Sequence, residues 1–264
     1  MLTYEALLEQ AKSREMPPTK IRGILREYLQ ILILKEIYKI PAGKKLYFTG
    51  GTYLRLIHNL KRFSEDLDFN SNKITKLEFE QLLKKVKNEL KRIGLKPELK
   101  FSHWENLCVA KLIFPQIEQI YKAKSKYSKK EGILIKIESF LLKQKINTET
   151  EVATGFGQFY PCISTDKSIL FADKIDALRK KNRGRHIYDI IFMLSNKYTI
   201  DKSRLKALGI NTEPFKIIAE KINDFSKKEL KKQADSLQPF LFDETQADLV
   251  KNAQTIIPSL LKKY

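Results

Sequence analysis

Apolar residues recur at helical spacing near both ends of the chain and alternate with polar ones through its middle. Ile21, Ile24, Leu25, Tyr28 and Leu32 fall three or four residues apart, which predicts one core-facing helix over residues 19–39. A further helix is expected over 5–16, separated from the first by Pro17-Pro18 because proline lacks an N–H and clashes with the preceding turn. Pro41-Ala42-Gly43 is a turn signal. Leu46-Tyr47-Phe48-Thr49 reads as a short strand running into Gly50-Gly51-Thr52, with a short helix over 52–60. Asp66-Leu67-Asp68-Phe69 alternates strictly and predicts a strand; residues 75–93 predict a lysine-rich helix. Strands are expected at 107–114, 133–141 and 158–163. After Asp166 the pattern turns helical and stays so, with Leu249, Ala253, Ile256 and Leu260 marking the last helix. No internal repeat is present. The layout is an α/β half of about 165 residues, then a helical half of about 100.

Length and composition narrow this picture. A chain of 264 residues makes one large domain or two small ones, and 42% apolar residues supply a sizeable core. The longest purely aliphatic run, Ile31-Leu32-Ile33-Leu34, falls far short of the roughly 18 residues of a membrane helix, so no membrane partner is expected. The start, Met1-Leu2-Thr3-Tyr4-Glu5, lacks the basic-then-apolar layout of a signal peptide. Cys108 and Cys162 alone make no disulfide framework, so a cytoplasmic setting is expected. His58, His103 and His186 have no metal-site spacing. Fifty Lys+Arg against 31 Asp+Glu leave a net charge of +19, which favours a polyanionic partner, nucleic acid above all.

The chemistry concentrates between residues 48 and 69. Alternation puts Asp66 and Asp68 on one face of their strand, with Leu67 and Phe69 on the other. Two adjacent carboxylates repel unless a cation sits between them, and hard ions such as Mg²⁺ want oxygen ligands of this kind. A strand running into Gly50-Gly51 and then a helix brings backbone N–H groups close to a phosphate, and the Thr52 hydroxyl offers a further hydrogen bond. Gly50, Gly51 and Thr52 with Asp66 and Asp68 thus read as one site for triphosphate and metal. Within Ile133-Leu134-Ile135-Lys136-Ile137-Glu138 the isoleucines share one face and Lys136 and Glu138 the other, so Glu138 is the candidate third metal ligand.

Two charges stand where apolar residues are expected. Lys174 lies within the stripe of Phe171, Ile175 and Leu178, and Asp189 is the one charge in the apolar run 187–194. Each requires a partner, and each suits the other. The functional alternative to a structural pair has Lys174 contacting the triphosphate and Asp189 orienting it. Between them Arg179, Lys180, Lys181, Arg183 and Arg185 make a basic turn suited to phosphate contacts. The link 121–130 carries Lys122, Lys124 and Lys126 among five lysines and reads as an exposed hairpin.

Gly50-Gly51-Thr52, the stretch Arg62 to Phe69, Ile135-Lys136-Ile137-Glu138, Lys174, and Arg185 through Asp189 together resemble the AbiEii/AbiGii-type nucleotidyltransferase toxins, which include the MenT toxins. The resemblance covers residues 20–196. It implies an α+β fold: a mixed-sheet, polymerase β-like nucleotidyltransferase core over 1–165 with N-terminal helices, then a helical C-terminal bundle over 166–264 that completes the active site. Thr52 stands where the family more often has Ser, Glu138 as the third acid is longer than Asp, and His186 stands where the family often has Asp after the arginine.

The function this implies is transfer of nucleotides from an NTP to RNA, most specifically the tRNA 3′ end, by the toxin of a type IV toxin–antitoxin or phage-defence pair with a cognate antitoxin. Asp66, Asp68, Lys174 and Asp189 are the expected catalytic set. Asp66, Asp68 and Glu138 are the expected ligands of Mg²⁺, with Mn²⁺ as an alternative. Gly50, Gly51, Thr52, Arg62, Ser64 and Lys174 are expected on the nucleotide. Lys122, Lys124, Lys126, Arg179, Lys180, Lys181, Arg183 and Arg185 are expected on RNA. A monomer is anticipated. The competing readings are a non-catalytic nucleic-acid or partner-binding protein on a decayed transferase fold, and a transferase acting on a protein or small-molecule hydroxyl.

Overall fold

The structure, a computed structural model, describes residues 1–121 and 132–264. The chain divides into two compact units, Met1–Thr165 and Asp166–Tyr264. The first opens with helices α1 (Tyr4–Ser13) and α2 (Ile21–Lys39). There follow β1 (Tyr47–Thr49), α3 (Gly50–Leu56), β2 (Leu67–Ser71), α4 (Lys76–Arg92), β3 (Glu98–Trp104) and β4 (Leu107–Phe114). A short α5 (Ile117–Ile120) leads to β5 (Ile133–Leu141), β6 (Thr148–Gly155) and β7 (Gln158–Thr165). The seven strands make one mixed sheet in the order β3-β4-β5-β2-β1-β7-β6. Pairing is antiparallel except for β2 with β5 and β1 with β7.

Helices α2 and α4 pack on the sheet and on each other. The α4 helix starts at a reciprocal cap between Thr75 and Glu78 and turns Phe79, Leu82, Leu83, Val86 and Leu90 inward. On β5, Ile133, Ile135 and Ile137 are buried, and each such side chain contributes roughly 1.5–3 kcal/mol of transfer free energy. Two strands go beyond the sequence expectation, the edge strands β3 and β6. Each buries little: β6 reads Thr-Glu-Thr-Glu-Val-Ala-Thr-Gly, with Ala153 its one buried side chain, so almost no apolar alternation marks it. A buried carboxylate also ties the helical layer together, since Glu27 of α2 accepts hydrogen bonds from Arg14 at 3.0 Å and Arg55 at 2.9 Å.

The second unit is helical: α6 (Lys167–Lys180), α7 (Gly184–Ser195), α8 (Lys202–Ala207), α9 (Pro214–Asn223), α10 (Lys227–Leu237), α11 (Ala247–Lys251) and α12 (Ala253–Leu261). Helix α7 is its centre, packed against α6, α10, α11 and α12. Its first residue, Gly184, lies so close to α10 that a Cβ there would stand 2.2 Å from the Gln233 carbonyl oxygen. No helix among the described residues is long and apolar enough to cross a membrane.

Candidate active site

In the first unit the site is built on the β1–α3 turn and the neighbouring β2. Thr49 pairs with Asp68 in antiparallel register, so the chain leaving β1 passes directly beside that carboxylate. Gly50 adopts φ +83°, and a Cβ on it would lie 2.3 Å from Asp68 Oδ2. Only glycine meets both demands. A Cβ on Gly51 would lie 2.7 Å from an Arg62 guanidinium nitrogen and 2.9 Å from Ser64 Oγ, so Arg62 and Ser64 bracket the turn. Thr52 is fully buried and donates its hydroxyl to the Asp66 carbonyl. The hydroxyl expected on phosphate is therefore engaged in pinning α3 to the start of β2.

The carboxylates gather around a lysine. Asp68 and Glu138 are register partners in the parallel β2–β5 pair. Lys136 Nζ lies 3.1 Å from Glu138 Oε2 and 3.6 Å from Asp66 Oδ2. Burial works against the charge on Lys136, but Asp66, Glu138 and Asp68 outweigh it and hold its pKa above the usual lysine value. The sequence pattern puts Lys136 on the face of Glu138 and by itself assigns it no role. The signal for one is its two-residue offset from Glu138, which puts both side chains beside the Asp66–Asp68 strand.

In the second unit, Lys174 of α6 donates to Asp189 of α7 at 2.7 Å. Both are buried, and the Asp189 side chain is wholly sealed. Asp176, which the sequence did not single out, receives Arg179 at 2.9 Å and Lys180 at 2.6 Å. Two of the expected RNA-facing cations thus share a local acid, while Lys181 and Arg183 are exposed and Arg185 half-buried. Lys122, Lys124 and Lys126 lie outside the described residues.

A protein-family profile described as "Nucleotidyl transferase AbiEii toxin, Type IV TA system" matches residues 32–255. The chain belongs to the AbiEii family. Solved structures that share its fold include a mycobacterial and a Helicobacter protein. MenT4, a nucleotidyltransferase toxin of Mycobacterium tuberculosis H37Rv, is 15% identical with a TM-score of 0.60, over 98% of this chain and 90% of that one. JHP933 of Helicobacter pylori is 19% identical with a TM-score of 0.55, over 92% of this chain and 93% of that one. No curated protein shows significant similarity to the chain.

The AbiEii assignment makes this a nucleotidyltransferase toxin and raises the question of a divalent ion. Among the described residues no three His, Cys, Asp or Glu side chains already close on a common point. The donor chemistry nonetheless fits a hard cation: the acids present oxygen only, and Lys136 shows that they hold positive charge together.

Proposed function

We propose that this AbiEii protein transfers nucleotides from an NTP to an RNA 3′ end, most specifically that of tRNA, as the toxin of a type IV toxin–antitoxin or phage-defence system with a cognate antitoxin. The observation that carries the reading is the close approach of the Gly50 turn to the Asp68 carboxylate, which sets the backbone of a glycine turn against the acids. The main chain at Gly50 and Gly51 faces the triphosphate, Arg62 and Ser64 steady the turn, and Thr52 anchors it. Asp66, Asp68 and Glu138 would hold Mg²⁺ or Mn²⁺, which when bound neutralises charge on the polyphosphate. Lys174, positioned by Asp189, is assigned to the same neutralisation. The basic residues Lys181, Arg183 and Arg185, with Lys122, Lys124 and Lys126, are assigned to the RNA backbone.

In the reaction the RNA 3′ oxygen forms a bond to the α-phosphorus, the bond to the bridging oxygen of pyrophosphate breaks, and the hydroxyl proton passes to solvent. Most of the acceleration comes from positioning and electrostatics. The net charge of +19 favours RNA over a cationic small molecule as acceptor.

The test incubates the protein with bulk tRNA, Mg²⁺ and each labelled NTP in turn. Label is expected on RNA from at least one NTP, with Asp66→Ala lowering transfer at least about a thousandfold, in line with loss of a preorganised charge. Absence of label from every NTP rejects the RNA reading. Full transfer by Asp66→Ala rejects the acid site.

A further inference from the structure

The sheet face that bears Lys136 and Glu138 continues over β4 and β3, and register fixes which side chains stand on it. Lys100 of β3 is opposite Lys111 of β4, and Lys111 is opposite Lys136 of β5. Further along the same face, Trp104 is opposite Leu107, and Leu107 is opposite Phe140. The alternate residues of β3 face the other way: the ring of His103 meets Phe79 of α4, and Lys84 of α4 lies over Phe101. Two rows result, one of lysines and one apolar and aromatic, separated by about four residues or ~13 Å of strand.

Neither row is explained by folding. Like charges directly opposite one another destabilise a sheet. Lys136 is offset by Asp66 and Glu138, but among the described residues no carboxylate lies within ion-pair distance of Lys100 or Lys111. Glu98, two residues before Lys100 on the same face, is the nearest acid along β3. In the other row Trp104 is 59% exposed and Phe140 44% exposed, so two rings stand in water. Both rows lead to the acid cluster, because Lys136 belongs to it and Phe140 is two residues from Glu138.

We propose that this face is the docking platform for the single-stranded 3′ end of the acceptor RNA. Bases stack on Trp104 and Phe140, phosphates lie along Lys100 and Lys111, and the terminal nucleotide reaches Asp66 and Asp68. The occupant follows from complementarity: a lysine row needs an anion, and flat exposed rings need flat partners, which a single strand offers and a duplex hides. The proposal rests on RNA being the acceptor and adds where and in what form it is held.

The chain has one tryptophan, so its emission reports on Trp104 alone. The full-length protein is titrated with a single-stranded 12-nucleotide RNA and with the same RNA as a blunt duplex. The single strand is expected to quench Trp104 and the duplex to do so weakly. Phe140→Ala, and separately Lys100→Ala with Lys111→Ala, should each weaken single-strand binding about tenfold, the usual scale for a lost stack or for two lost phosphate contacts at moderate salt. The lysine variant should also flatten the dependence on salt, and both should raise KM for RNA in the transfer assay more than they lower kcat. Equal quenching by duplex, no quenching by either RNA, or wild-type affinity in both variants overturns the platform. Transfer to RNA with unaltered variants would sink the platform and leave the transferase reading standing. Single-strand quenching weakened in both variants, without transfer by the wild type, would keep this face as an RNA-binding surface and sink the transferase reading.

Discussion

Lys136 in the first unit stands 3.1 Å from Glu138 and 3.6 Å from Asp66, with 30% of its side chain exposed. Lys174 in the second unit stands 2.7 Å from Asp189, whose side chain is closed to solvent. The chemistry of the two contacts is the same, but their surroundings make them differ in kind. Water reaches the first, so its ions exchange partners at little cost, and another cation can displace the ammonium. The second is closed to water, so removing Asp189 leaves the buried Lys174 ammonium without its carboxylate. A cluster that trades cations belongs in a binding site. A sealed pair sets one side chain in place and keeps it there.

Breaking the sealed pair is the harshest trial of this contrast. Asp189→Ala should cost about 3–5 kcal/mol of unfolding free energy in urea titration, because Lys174 is left buried alone. Lys174→Met combined with Asp189→Leu should recover most of that loss. If the double variant is stable and still transfers nucleotides, the pair is structural and Lys174 has no part in the chemistry.

Gly50→Ala comes next. A side chain at φ +83° that also meets Asp68 at 2.3 Å must shift the turn or the carboxylate. The left-handed conformation alone costs roughly 1–2 kcal/mol, and the transfer rate should fall further than this stability change accounts for. A variant that keeps full activity would show that the turn does not act on the nucleotide.

Lys136→Met should have the smallest effect on folding, under about 1 kcal/mol, as expected of a partly solvated pair. It should raise the affinity for Mn²⁺, read by calorimetry on the full chain, about fivefold, equivalent to ~1 kcal/mol of screened Coulomb energy. Unchanged or weaker Mn²⁺ binding would mean that the ammonium does not occupy the space of the ion.

The legible parts of the chain were those in which local pattern and tertiary burial agree. The expected strands 107–114 and 133–141 coincide with β4 and β5, because each has a fully buried face and hence clear alternation. The helix expected at 52–60 begins earlier, at Gly50, and ends at Leu56, since the chain enters it directly from β1. Strands β3 and β6 escaped because edge strands bury little and carry weak alternation. Lys174 and Asp189 were visible as charges out of place in apolar stripes, and their contact was a pairing argument before it was a distance.

Local order is written in the chain itself: side chains repeat every 3.6 residues on a helix and every two on a strand, so the sequence by itself determined which residues share a face, that Gly50-Gly51 punctuates a strand, and that Lys174 and Asp189 need partners. Tertiary structure alone decided what meets across long separations. The parallel pairing of β2 with β5 brings Lys136 to Asp66, 70 positions earlier in the chain, and makes a cation, not a gap, the centre of the acid cluster. The pairing of β3, β4 and β5 likewise aligns three lysines in one row. No local pattern encodes either result, because register depends on which strands find each other and not on what any of them contains.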